Sequence, residues 1–73
     1  MQIQDYAATL FYLHRMACPE LISIMSVTSD DFLAKKISNF VHAFTHESDI
    51  SKVEIAYESL VQYLDYVLTS HSR

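Results

Sequence analysis

Glycine is absent from this chain, and Pro19 is its only proline. A β-rich fold turns its strands through positions of positive φ, which glycine occupies at the least cost. A chain without glycine is therefore directed toward helices. The same absence removes the glycine-rich phosphate loops of the P-loop and dinucleotide folds, so nucleotide binding by those routes is excluded.

The hydrophobic pattern agrees. From Ser51 to Ser70 the apolar residues Val53, Ala56, Tyr57, Leu60, Val61, Tyr63, Leu64, Val67 and Leu68 fall on one helical arc of roughly 160°. Glu54, Glu58, Gln62, Asp65 and Thr69 occupy the other side. Ser51 and Glu54 have the spacing of a capping box, which predicts the start of this helix. Ile55 and Tyr66 fall among the polar residues and suggest a second contact stripe.

Three more helices are expected upstream. The first spans about residues 2–17, with Ile3, Tyr6, Ala7, Leu10, Phe11, Leu13, Ala17 and Cys18 on its broad apolar face. His14 lies near the centre of that face, where a tyrosine hydroxyl or a carbonyl would have to satisfy its ring N–H. Ala8, Tyr12 and Met16 form an outer line at i, i+4, i+8, of residue types favoured at interfaces. Pro19 interrupts the pattern and suits the first turn of a short second helix over 19–26. A short strand over 21–27 is the alternative, with no second strand to pair with. Thr28 or Ser29 can cap a third helix over 29–46, in which Leu33, Ile37, Phe40, Val41 and Phe44 face inward. The expected fold is thus all-α, with three long helices and one short helix in a single domain over 1–73.

Seventy-three residues bury a small core, which rarely supplies more than about 3–5 kcal/mol without a staple. Cys18 is alone, so no disulfide forms within the chain. Hydrophobic residues make up 51% of the chain, more than one small bundle uses, so self-association or a protein partner is the expected staple. Nine acids against five scattered bases give a net charge of −4, which argues against nucleic acid as partner. No apolar run approaches the ~18 residues needed to cross a membrane. The unpaired cysteine points to a reducing cytoplasmic setting.

Few side chains carry a pattern for chemistry. His14/Cys18 and His42/His46 each have i, i+4 ligand spacing, but His42 and His46 fall on the side of their helix away from Leu33, Phe40 and Phe44. The four are not expected to converge on a metal. No glutamate is followed three residues later by histidine, which removes a di-iron carboxylate site. No serine, histidine and aspartate are spaced for nucleophilic catalysis, so neither an enzyme nor a cofactor is expected. The expected function is a small helical protein–protein interaction module. It would act through Tyr12, Met16, Ile55 and Tyr66, with the acidic edge Glu54, Glu58 and Asp65 open to a basic partner. A helix-turn-helix DNA-binding regulator is the alternative, resting on the turn between Ser26 and Asp31; the missing turn glycine, the acid excess and the placement of only Lys35 and Lys36 near the would-be recognition helix stand against it.

Overall fold

The computed structural model describes residues 3–71. They form four helices: α1 (Ile3–His14), α2 (Cys18–Val27), α3 (Asp31–His46) and α4 (Ile50–His71). Each helix packs on its neighbours in sequence, and α1 also packs on α4, while the diagonal pairs stay apart. The result is a closed ring of helices around one core. Leu13, Leu21, Leu33, Ile37, Phe40, Leu60 and Leu64 have no exposed surface there, and Tyr6 and Thr9 join them.

The helix ends show where local chemistry overrides the sequence expectation. The start expected at Gln2 lies outside the described residues. α1 stops at His14 rather than Ala17. The Met16 N–H donates to the Leu13 carbonyl and the Ala17 N–H to the Tyr12 carbonyl, the paired bonds of a Schellman ending. That ending needs a left-handed residue, and Met16 supplies it with φ 56°. Cys18 therefore belongs to α2, and α1, at 12 residues, is little longer than the 10-residue α2. Residues 21–27 are helical, with Pro19 in the first turn of α2.

α3 begins two residues later than expected, capped by Asp30 rather than by Thr28 or Ser29. Asp30 Oδ1 accepts from the Phe32 and Leu33 amides at 3.0 and 3.1 Å. The Ser51/Glu54 capping box does not form. Asp49 takes its place, accepting from both the amide and the hydroxyl of Ser51 at 3.0 and 2.6 Å. In both places an aspartate reaches the orphan amides with a full negative charge, which the helix dipole favours over a hydroxyl.

α4 presents its expected faces. All nine residues of the apolar arc are buried or half-buried, and Glu54, Glu58, Gln62, Asp65 and Thr69 are exposed. α1 is rotated from its expected phase. Its buried line is Tyr6, Thr9 and Leu13, whereas Ile3, Ala7 and Phe11 are exposed. The reason is polar satisfaction. Thr9 donates its hydroxyl to the Asp5 carbonyl at 2.6 Å, so it enters the core without a lost hydrogen bond. Tyr6 donates to Asp30 Oδ2 at 2.6 Å. On α3, Phe44 lies at the edge, 43% exposed, stacked on the buried Phe40 ring at 5.7 Å.

Asp30 is the joint of the bundle. Its second oxygen also accepts from the Tyr63 hydroxyl at 2.5 Å, so α1, α3 and α4 meet on one carboxylate. Burial works against the Asp30 charge, but the two phenols and two amides outweigh it and hold the carboxyl below its ordinary 3.8. Burial, then the bond to Asp30, raises the Tyr6 phenol and lifts the Tyr63 phenol from 10.0 to about 12. The depressed carboxyl contributes stability in full above 3.8, lost as the pH falls through its folded value. The raised phenols contribute in full below 10.0, and that is lost as the pH climbs toward about 12. Urea unfolding followed against pH should show a plateau falling away on both sides. Asp30→Asn should lower the plateau by about 1–3 kcal/mol. It should also flatten the acid limb to the smaller slope left by Asp49, which its Ser51 bonds hold below the ordinary value. An unchanged acid limb in Asp30→Asn would show that the joint does not carry the stability assigned to it.

Candidate functional site

The residues expected to bind a partner are not brought together as two stripes. Tyr12 is half-buried and packs on the core, because the rotation of α1 carries the Ala8/Tyr12 side inward. Its ring meets Phe11 edge-on at 5.4 Å, and Arg15 covers Phe11 at 4.5 Å. Met16 is separated from Tyr12 by the left-handed turn and is 44% exposed. Ile55 and Tyr66 are open to solvent, 68% and 70% exposed, but three helical turns apart on α4 they line different hollows. Ile55 borders a small one of about 210 Å³ with Lys36, Asn39 and Ser59. Tyr66 and Asp65 border one of about 670 Å³ made entirely of α4 residues. A single helix cannot enclose a ligand, so that hollow is open surface.

Met16, Glu54 and Glu58 do meet, in a groove of about 490 Å³ at the end of the bundle where α3 turns into α4. Phe40, Phe44, Ile50, Val53 and Tyr57 line it with Met16, and Glu47, Glu54 and Glu58 bring carboxylates to it. Each group has a local cause. The Schellman turn places Met16 at the mouth. The stacking of Phe44 on Phe40 extends the core outward into the groove. Tyr57 is held by its hydroxyl, 2.8 Å from His14 Nδ1, and by its ring, 6.0 Å from Phe40. His14 is thus exposed rather than buried, with a tyrosine hydroxyl as its partner. Glu47 pairs loosely with Lys52 at 4.0 Å, whereas Glu54 and Glu58 hold no ion pair among the described residues.

Phe44, Ile50 and the α3–α4 turn were missed as site residues by sequence reasoning. The available signal was Ile50, an apolar residue among Glu47, Ser48 and Asp49, whereas Phe44 falls at the centre of its helical face and gave none.

The other candidates are dispersed. His42 and His46 stand side by side on the outer face of α3, rings 4.8 Å apart, away from His14. No three metal-ligating side chains gather among the described residues. Burial, then the Glu20 charge, pushes the Cys18 thiol above its ordinary value, which makes it a poorer nucleophile. Lys36, one of the two bases near the would-be DNA-reading helix, donates to Ser59 at 2.6 Å and lies over the Phe32 ring. No helix of the described residues is long and apolar enough to cross a membrane.

Fold and groove together define a small four-helix bundle with an apolar, acid-rimmed cleft at one end. The chain belongs to the YhdB-like protein family, whose pattern matches residues 1–71. It is similar to a protein of Bacillus subtilis (strain 168) described as "Uncharacterized protein YhdB", with 38% identity over 66 residues, covering 90% of this chain and 82% of that protein. No solved structure matches the chain.

The turn that builds the groove mouth is strained. A non-glycine residue in the left-handed region costs about 1 kcal/mol, and helices usually place glycine at this position. Met16→Gly should therefore raise the thermal midpoint by roughly 4–8 °C, the shift expected for about 1 kcal/mol in a domain of this size. A midpoint at or below that of the parent chain would show that the Met16 side chain stabilises the fold more than its backbone strains it.

Proposed function

We propose that this chain is a non-catalytic protein-binding module of the cytoplasm, whose working surface is the groove between Met16, Phe44 and Ile50. The observation that carries the reading is an apolar cleft left open on a bundle that has already closed its core. Phe44 and Ile50 are 43% and 71% exposed beside Phe40 and Val53, where burying them would be favourable. The groove has apolar walls and acids at its mouth, with no convergent set of buried polar groups that would orient a reacting substrate. The raised thiol of Cys18 fits a structural cysteine in a reducing setting. The helix-turn-helix alternative has less support, because Lys36 is engaged within the chain and Lys35 is left as the free base of α3.

The test is site-specific photo-crosslinking in the native host, with the photoreactive side chain at Phe44 or Ile50 and, as control, at exposed Ser38. A discrete protein adduct from the two groove positions, and none from Ser38, is expected. If Phe44 and Ser38 behave alike, the groove is not the working surface.

A further inference from the structure

We propose that the occupant of this groove is a helical segment of a different protein, bearing large apolar side chains flanked by lysine or arginine. The proposal rests on the reading of the groove as a binding site and adds the chemistry of its partner. Apolar anchors on one face of a helix are what a cleft lined by Met16, Phe40, Phe44 and Tyr57 accepts. Methionine adapts to varied apolar shapes, and here it is held at the mouth by a backbone conformation that glycine would adopt with less strain.

The charge of the flanks follows from α4. Glu54 and Glu58 are spaced i, i+4, so they repel one another on the helix surface and disfavour the helix. Neither has an ion pair among the described residues, and both border the groove. Two local concessions, one of backbone and one of charge, therefore converge on a single cleft. A basic segment would relieve the second and be steered by it. A second copy of this chain fits less well. Each copy carries a net charge of −4, and its aromatic–base pairs, Phe11 with Arg15 and Phe32 with the half-buried Lys36, are already joined internally.

The test uses the full chain and two synthetic helical peptides with the same apolar face, one with lysine and one with glutamate at the polar positions. Binding is read at low salt by fluorescence anisotropy and by amide shift mapping. The lysine peptide should bind about tenfold or more tightly than the glutamate peptide, shift Met16, Phe44, Ile50 and Tyr57, and weaken as salt is added. Glu54→Lys with Glu58→Lys should reverse the preference. Met16→Gly should weaken binding several-fold even where the fold is no less stable. Equal affinity for both peptides would overturn the basic partner and leave the groove as a binding site. Shifts confined to surfaces outside the groove, or none, would overturn both. Concentration-dependent self-association that Phe44→Glu abolishes would replace the proposed partner with a second copy.

Discussion

The bundle depends on a single carboxylate. Asp30 caps α3 with one oxygen and receives the Tyr6 and Tyr63 hydroxyls on the other. Burial works against its charge, and the four donors around it outweigh that and hold the carboxyl below its ordinary value. Their geometry fixes the rotation of α1 and the approach of α4 to the start of α3. The Tyr6 and Tyr63 rings meet edge to face at 6.3 Å, so the polar joint and the aromatic packing reinforce one another. The apolar core below gains its register from this joint, since leucine and isoleucine contacts do not choose among neighbouring rotations so sharply.

α4 was legible because its pattern is long and its two faces differ in kind. Nine apolar positions from Val53 to Leu68 leave one phase, and the structure shows that phase. α1 was harder for a physical reason. With apolar or aromatic side chains on most of its surface, its orientation is decided by which hydroxyls find partners, and those partners lie 24 residues away at Asp30 or within its own backbone at Asp5. Periodicity cannot register either bond. The caps illustrate a smaller version of the same limit. Thr28, Ser29 and Asp30 all have capping side chains, and tertiary bonds to the two tyrosines select the last.

The groove was half legible. Glu54, Glu58 and Met16 stood out in the sequence, but for separate reasons and in separate stripes. What joins them is the turn after α1, whose positive φ at a methionine has no sequence signature, and the fold of α3 onto α4. Ile55 and Tyr66 illustrate the converse. They share a side of one helix, as the spacing indicates, yet neighbouring side chains divide them between two hollows. Surface stripes read from a helical wheel become sites only where a second element supplies the other wall.

The ring arrangement has a kinetic corollary. Three of its helix contacts join consecutive helices and can form through short turns, which makes them quick and local. The fourth, between α1 and α4, closes a loop of nearly the whole described chain and is secured by the Tyr6–Asp30–Tyr63 joint. The molecule thus has one seam that differs from the others. Partial opening at this seam would detach α1 from α4 while α3 and α4 stay paired, leaving Phe40, Phe44, Ile50 and Val53 side by side. Opening there also breaks the joint and uncovers Tyr6, Thr9 and Leu13 of the core, so the seam and the Met16 wall of the groove are lost together.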